Sequence, residues 1–378
     1  MHTPLCPYFN QCGGCTTQHI PYDAQLANKK KALAQAISYD ETKIQVFSDK
    51  EYYYRNKIEF LFHPHGLGLR TKNPSMIMNI DACVIAEEPI NTLLKEIKTF
   101  FKTVDAYDRQ KKTGTFLSVV IRTDGKEQGV CFLLSETSSK LREAVEYIEE
   151  YAKQSTAQHI LIAYASVEKD NIVPTHSFAL KGSNHLQTTY LGKTFSYPLL
   201  GFFQNNHTMA EKMQEYVHSL LKKYALQHTD MPPIPQAHLL DLYAGVGTFG
   251  ITNANLFKSV TMVESFEEST KATQKNIVTN GITHAEALTL DAKKIKKLSF
   301  PQLLFVITDP PRSGMDTETI NALKKLSPEV IVYVSCNVQQ LRKELMHLKN
   351  YTIKSAALFD LFPQTWHSEA VIELIRQK

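Results

Sequence analysis

Residues 238–250 read HLLDLYAGVGTFG, and this stretch decides the fold of the chain. An apolar run of the kind found in buried parallel strands leads into a loop with Gly245 and Gly247, and a helix-like segment follows. The glycines let a ligand approach the backbone at the amino terminus of that helix. Strand-like and helix-like segments alternate downstream, so we predict an α/β fold with a doubly wound parallel sheet.

Two further apolar runs, 303–307 and 330–334, are short, rich in β-branched or aromatic residues and bounded by breakers, as buried strands are. Asp309 begins the element Asp-Pro-Pro-Arg-Ser-Gly after the first run, and Cys336 follows the second run in the context Ser-Cys-Asn. Ligands bind outside the carboxyl ends of parallel strands. We therefore expect Asp309 and Cys336 to share one cleft, with Cys336 as a candidate nucleophile.

The strand predicted at 260–264 ends in an acid, Glu264, about 20 residues after the glycine loop. A carboxylate at that position can hold the hydroxyl pair of a ribose, in either a nicotinamide enzyme or an enzyme that uses S-adenosylmethionine (SAM). The Asp-Pro-Pro element at Asp309 favours SAM. The alternative for Glu264 is a solvated strand end.

Length and composition predict an ordinary globular protein with more than one domain. The chain has 378 residues, which exceeds the roughly 250 to 300 residues that one hydrophobic core serves. Hydrophobic residues make up 43% and charged residues 21% of it. We find neither a secretory signal nor an apolar run long enough to span a bilayer, so we expect a cytoplasmic protein. The net charge of +4 permits nucleic-acid binding without arguing strongly for it.

Four of the six cysteines are related by position, because Cys6, Cys12 and Cys15 follow one another closely and Cys83 comes later. Such thiols can converge on zinc or on an iron–sulfur cluster, and the ligand set alone does not choose between them. The spacing differs from that of zinc ribbons, in which both knuckles are usually C-x2-C. We interpret the four thiols as ligands of a [4Fe–4S] cluster, although Cys83 also reads as a buried apolar thiol.

We predict three regions in the chain. Residues 1–90 form the cluster-binding region, and residues 91–190 form a smaller α+β, strand-rich domain that contacts RNA. In this domain two strands flank a turn at Asp124 and Gly125, and a helix and another strand follow. Residues 191–378 form the catalytic domain.

Six motifs in this order resemble the uracil-5-methyltransferases of RNA, specifically the iron–sulfur branch that modifies 23S ribosomal RNA. The resemblance covers nearly the whole chain and implies a Rossmann-like class I SAM methyltransferase fold. It rests on the following segments: Cys6-x5-Cys12-x2-Cys15 with Cys83, Phe202-Phe203-Gln204-Asn205-Asn206, the glycine loop from Asp241 to Gly247, Asp309-Pro-Pro-Arg-Ser-Gly314, Ser335-Cys336-Asn337, and Phe362-Pro-x-Thr-x-His-x-Glu369.

The resemblance also implies roles for individual residues. Cys336 would add to carbon 6 of uracil, which makes carbon 5 nucleophilic enough to take the methyl group of SAM, and Glu369 would remove the carbon 5 proton. His367 has no step in this mechanism, and a structural hydrogen bond is expected for it. The residues expected to line the SAM site are Gln204, Tyr243, Gly245, Glu264 and Asp309.

The RNA partner follows from the same resemblance. It favours 23S rRNA, with 5-methyluridine formation in the T-loop of tRNA as the alternative. A catalytically silent iron–sulfur protein that binds RNA is the non-enzymatic alternative. Methylation of an exocyclic amine is disfavoured because it would leave Cys336 without a role, and the Ser-Cys-Asn context favours uracil over cytosine. We expect a monomer that does not bind membranes.

Overall fold

A computed structural model describes residues 2–168, 171–226, 236–301 and 303–377. The helices of these residues are α1 (Tyr22–Ile37), α2 (Glu88–Phe100), α3 (Leu141–Gln154), α4 (His207–Leu226), α5 (Thr248–Asn253), α6 (Glu267–Thr279), α7 (Thr317–Leu326) and α8 (Val338–Leu345). The first strands are β1 (Gln45–Phe47), β2 (Lys57–His63), β3 (Gly66–Arg70), β4 (Ile77–Asn79), β5 (Phe116–Thr123), β6 (Gln128–Ser135), β7 (His159–Glu168), β8 (Asn171–Lys181), β9 (His185–Tyr190) and β10 (Lys193–Pro198). The later strands are β11 (His238–Leu242), β12 (Ser259–Glu264), β13 (Ala285–Thr289), β14 (Leu304–Thr308), β15 (Val330–Ser335), β16 (Tyr351–Phe359) and β17 (Glu369–Arg376).

The large sheet contains eight of the described strands in the order β1-β16-β17-β15-β14-β11-β12-β13. Neighbours from β15 to β13 pair in parallel, and β17 is antiparallel to both β15 and β16. Successive residues of β11 lie in different hydrophobic clusters, Leu239 on one face of the sheet and Leu240 on the other. Both faces are therefore covered, as in doubly wound sheets, and the predicted α/β fold is confirmed.

The central sheet contains seven described strands in the order β4-β3-β2-β5-β6-β7-β8. Helices α2 and α3 contribute Ile90, Leu94 and Ile148 to its core, all with no exposed surface. The turn predicted at Asp124 and Gly125 joins β5 to β6. The Asp124 side chain accepts hydrogen bonds from two backbone N–H groups of the turn, which explains why an acid begins it.

The first part of the chain contributes to the large sheet. Strand β1 pairs in parallel with β16, where Phe47 stacks on Phe359 with ring centroids 4.6 Å apart. On α1, the ammonium of Lys29 lies 2.6 Å from the Asp360 carboxylate, and both side chains are buried. No finding tests the region boundaries at residues 90 and 190, which stay a prediction. No helix of the described residues has the length and apolar character needed to cross a membrane.

Arg122 of the central sheet holds the loop at residues 198–203, which leads into α4. Its guanidinium is buried, lies 4.6 Å from the centre of the Tyr197 ring, and donates hydrogen bonds to the carbonyls of Leu199, Gly201 and Phe203 at 3.2, 2.8 and 3.1 Å. Burial lowers the pKa of Arg122 to about 10.

Lys57 on β2 supports the same loop. Its ammonium donates to the carbonyls of Leu200 and Gly201 at 3.0 and 3.3 Å. Burial, with a smaller contribution from the nearby Arg122, lowers the pKa of Lys57 to about 8. Two cations of the central sheet therefore fix the loop that leads to the large sheet.

Replacing Arg122 with Ala is expected to lower the free energy of unfolding by about 3 kcal/mol, because several buried carbonyls lose a charged donor. Urea unfolding followed by circular dichroism measures the change. Arg142→Ala, on the exposed face of α3, is the control and should change stability by less than about 0.5 kcal/mol. Equal stability of the two variants would contradict the bracing role of Arg122.

Candidate active site

The parallel strands of the large sheet end at one edge. The register pairs Leu242 with Val263 and with Thr308, and Thr308 with Tyr333. The residues that follow these positions therefore lie side by side at the carboxyl edge of the sheet. They are Tyr243, Glu264, Asp309 and, slightly further along, Cys336.

The glycine loop after β11 is hydrogen-bonded to Glu264. The Glu264 carboxylate accepts hydrogen bonds from the N–H of Gly245 at 3.0 Å and from the N–H of Phe266 at 2.9 Å. Gly247 has φ 86°, and a Cβ added there would come within 2.7 Å of Thr273, so this turn requires glycine. Tyr243 also has a positive φ, 60°, which is strained for a residue with a side chain.

Asp241, within β11, was not among the predicted site residues. It is fully buried and accepts a hydrogen bond from the N–H of Gly250 at 2.8 Å. Burial, with smaller contributions from the nearby Asp309 and Glu264, raises the pKa of Asp241 to about 8. Asp241 therefore fixes the start of α5 relative to the strand.

Glu369 lies at the same edge because β17 runs in the opposite direction. It is the first residue of that strand, and the register pairs its neighbour Ala370 with Ser335. Glu369 is therefore beside Cys336. Burial raises the pKa of Glu369 well above its ordinary value, and Asp309 raises it further. Burial alone raises the pKa of Asp309 to about 7.

Cys336 is half-buried next to these acids. Burial and, to a smaller extent, the charges of Glu369 and Asp309 raise the pKa of its thiol to about 11, and Arg312 opposes them. At neutral pH the thiol form therefore predominates. A reaction that needs the thiolate must remove this proton or change the surrounding charges.

Asn337 connects the start of α8 to the loop that contains Arg312. Its side-chain oxygen accepts from the N–H groups of Gln339 and Gln340, which caps the amino terminus of α8. Its side-chain nitrogen donates to the carbonyl of Arg312 at 3.0 Å. One residue thus ties the loop after β14 to the loop after β15, and an Asn before a predicted helix is the sequence signal for such a cap.

Arg312 contacts His367, for which no catalytic step was expected. The guanidinium donates to the imidazole, with 2.6 Å between Nη2 and Nδ1. Burial lowers the pKa of His367, and the nearby Arg312 and Lys29 lower it further. A neutral imidazole can accept this hydrogen bond, so His367 helps to position Arg312 near Cys336. The sequence gives no signal for this pair beyond the presence of both residues in motifs.

Gln204 directly follows the loop at residues 198–203 that Arg122 braces. Its carbonyl accepts a hydrogen bond from the Asn56 side chain at 3.1 Å. The Asn206 side chain donates to the carbonyl of Leu361 and accepts from the N–H of Met209 in α4. This segment is therefore anchored against the chain that leads to Glu369. The neighbouring Phe202 is 72% exposed.

Cys6, Cys12, Cys15 and Cys83 line one cavity of about 270 Å³, together with Tyr8 and other residues. None of the four forms a disulfide bond. Burial, with smaller contributions from charges on Cys83, Cys6 and Cys12, raises the pKa of Cys15 to about 12. The four thiols are therefore close enough to interact.

The arrangement of these thiols does not suit a single metal ion. Among the described residues, no three His, Cys, Asp or Glu side chains are placed to hold one. A zinc ion needs thiolates about 2.3 Å from one centre. An iron–sulfur cluster holds several metal centres and is bound by thiolates, the donor type that lines this cavity.

A doubly wound sheet with a glycine loop and an acid at the end of its second strand is shared by nicotinamide enzymes and class I SAM methyltransferases, and the Asp-Pro-Pro element at Asp309 favours the second class. The comparisons with known proteins identify the family. The model of the tRNA (uracil-5-)-methyltransferase family matches residues 21–377. The chain belongs to this family and is an RNA (uracil-5-)-methyltransferase.

Individual relatives agree with this assignment. An uncharacterized RNA methyltransferase of Thermotoga maritima is 30% identical over 388 aligned residues, which cover 99% of this chain and 84% of that protein. One of Caldanaerobacter subterraneus is 29% identical over 97% of this chain and 83% of that protein. The crystal structure of Pyrococcus abyssi tRNA (uracil-54, C5)-methyltransferase with S-adenosyl-L-homocysteine superposes with a TM-score of 0.78. It is 25% identical and covers 96% of this chain and 86% of that chain.

Alkylation of Cys336 by iodoacetamide should accelerate about tenfold per pH unit between about pH 7.5 and 9.5, because its thiol titrates at about 11 in the free protein. Peptide mass spectrometry measures the rate at this site. Cys131, buried in the central sheet, is the internal control and should stay unmodified. A rate that levels off below about pH 8 would mean that Cys336 is an acidic thiol, contrary to the expectation.

Proposed function

We propose that this protein methylates carbon 5 of a specific uridine in RNA through a covalent bond between Cys336 and carbon 6. The Cys336 thiolate adds to carbon 6, and the electron pair of the carbon 5–carbon 6 double bond moves toward the carbonyl at carbon 4. Carbon 5 then attacks the SAM methyl group, and S-adenosylhomocysteine leaves. The observation that carries the proposal is the position of Cys336 beside two buried acids, Asp309 and Glu369.

In the second half of the reaction Glu369 takes the carbon 5 proton, and elimination of the thiolate restores the double bond. Only an ionised carboxylate can accept this proton. Burial and the charge of Asp309 raise the pKa of Glu369, so its carboxylate is a stronger base than an exposed one. Its position next to Cys336 supports this role.

We further propose that Gln204, Tyr243, Gly245, Glu264 and Asp309 line the SAM site. The loop geometry supports the proposal, because Gly245 and Glu264 are already joined by a hydrogen bond at the strand ends where ribose binds in this fold. The SAM sulfonium is a cation. Its arrival near Asp309 would favour the ionised carboxylate and offset the effect of burial on the pKa of Asp309.

Cys6, Cys12, Cys15 and Cys83 are proposed to hold a [4Fe–4S] cluster. Their common cavity and their free thiols support this ligand set. The proposed methyl transfer involves no electron transfer, so the cluster would stabilise the first part of the chain rather than take part in the reaction.

For the RNA partner, we propose 23S rRNA from the sequence resemblance and retain tRNA as a second candidate. The second candidate is favoured by the similarity to the Pyrococcus abyssi enzyme, which acts on tRNA. A groove of about 740 Å³ next to the cysteine cavity supports RNA binding in either case, since Arg70, Lys72 and Arg109 line it. Cations in such a groove can pair with phosphates. The target base must lie in a loop or leave its stack to reach Cys336.

Methylation is tested by incubating the protein with tritiated-methyl SAM and, separately, 23S rRNA and tRNA from cells that lack the gene. Nucleoside digestion and chromatography should find label in 5-methyluridine from one RNA. Cys336→Ala should abolish it. Label in tRNA alone would select the second candidate, and no label in either RNA would contradict the proposal.

Glu369→Gln should accumulate a methylated, covalent protein–RNA adduct on denaturing gels, because the carbon 5 proton stays in place and blocks elimination. Glu373→Gln is the matched control. Glu373 is a buried carboxylate of the same strand that accepts hydrogen bonds from the hydroxyl groups of Tyr224 and Ser355. The Glu373→Gln variant should form product and accumulate no covalent adduct. Normal turnover by Glu369→Gln would exclude Glu369 as the base.

The cluster is tested by metal analysis of protein purified without oxygen. About four irons and a broad visible absorption are expected per chain. Cys15→Ala and Cys83→Ala should lose most of both, whereas Cys131→Ala, outside the cavity, should keep them. Stoichiometric zinc, or full iron in Cys15→Ala, would contradict the proposed ligands.

A further inference from the structure

Trp366 is exposed in a segment that is otherwise largely buried. In residues 363–371, which lead into β17, Trp366 and His367 are the exposed side chains and their neighbours on both sides are buried. Trp366 is 54% exposed and is the single tryptophan of the chain. Single apolar side chains are common on protein surfaces, so a role for Trp366 depends on what holds it and on what surrounds it.

The segment that carries Trp366 is held on both sides of the ring. The side chain of Gln364 bonds Gln25 and Glu51 at 3.0 Å each, and its carbonyl accepts from the N–H of Thr16 at 2.9 Å. Thr365 accepts from the N–H of His367 at 3.1 Å. The backbone at Trp366 is therefore fixed before any ligand binds, which lowers the entropic cost of binding to the ring.

The surroundings of Trp366 suit a nucleic acid. Glu369, the proposed base, is three residues further along the chain, and the neighbouring His367 contacts the cation Arg312. On the other side, Thr365 lines the cysteine cavity. Cys12 lines both this cavity and the neighbouring groove that contains Arg70 and Lys72. Trp366 thus lies between the reaction centre and a cationic surface.

We propose that Trp366 is a stacking platform for a base adjacent to the target uridine. Aromatic rings bind bases of unpaired strands by stacking, in a way that tolerates any sequence. A uridine that enters the cleft toward Cys336 leaves its neighbours without a stacking partner on one side, and the Trp366 ring can replace that partner. The inference rests on the proposed function, since it assumes that the bound polymer is RNA.

The single tryptophan makes binding directly observable. Tryptophan emission should be quenched, and protected from acrylamide, when 23S rRNA or tRNA from cells that lack the gene is added. A fully paired RNA duplex of about 20 base pairs, which offers no unpaired base, should leave acrylamide quenching nearly unchanged. Equal protection by the duplex would overturn the proposal.

Kinetics separate stacking from a structural effect. Trp366→Ala is expected to raise KM for the methylated RNA about tenfold while the dissociation constant for SAM stays constant, and Trp366→Phe should restore most of the loss. Met346→Ala is the control, because Met346 is 63% exposed and follows the last residue of α8, away from the end beside Cys336. A loss confined to kcat, or no rescue by Phe, would overturn the proposal.

The two proposals fail in different ways. If the RNA is methylated but leaves tryptophan emission and acrylamide quenching unchanged, the platform is excluded and the enzymatic function stands. If neither RNA is methylated but one of them quenches and protects the ring, stacking is supported and the proposed function fails.

Discussion

The site depends on a constraint of strand direction. Parallel strands bring their carboxyl ends to one edge of a sheet, so Tyr243, Glu264 and Asp309 meet there although they are far apart in sequence. A residue that begins a strand reaches this edge only if its strand is antiparallel. Strand β17 meets that condition, and its first residue is Glu369. The candidate acid and the candidate nucleophile are thus neighbours because one strand is reversed.

The same geometry concentrates acids in a buried place. Asp309 and Glu369 raise the pKa of the Cys336 thiol, and Asp309 also raises the pKa of Glu369. Arg312 is the nearby cation that opposes these effects, and Asn337 and His367 hold it in position. The free protein therefore keeps its thiol protonated. In the proposed mechanism, a cationic cofactor and the substrate together would supply the change of environment that the thiolate needs.

Local patterns explain what the sequence could predict. The strands around the glycine loop and the turn at Asp124 follow from apolar runs and breakers, and the structure confirms them. The cofactor and catalytic residues stay predictions, although the structure places most of them at one edge. The joining of the two sheets could not be predicted, because it depends on hydrogen bonds from Lys57 and Arg122 to carbonyls about 80 or more residues away, which no local pattern signals.

The pairing of β1 with β16 links the beginning and the end of the chain, since Phe47 lies opposite Phe359. On a ribosome the first of these strands is made long before its partner, at about 5 to 20 residues per second. Strand β1 therefore has no partner until most of the chain has been made, and Glu369 is made later still. The central sheet, whose strands are closer in sequence, can fold earlier. The order of synthesis thus allows the central sheet to form before all the residues of the reaction centre have been made.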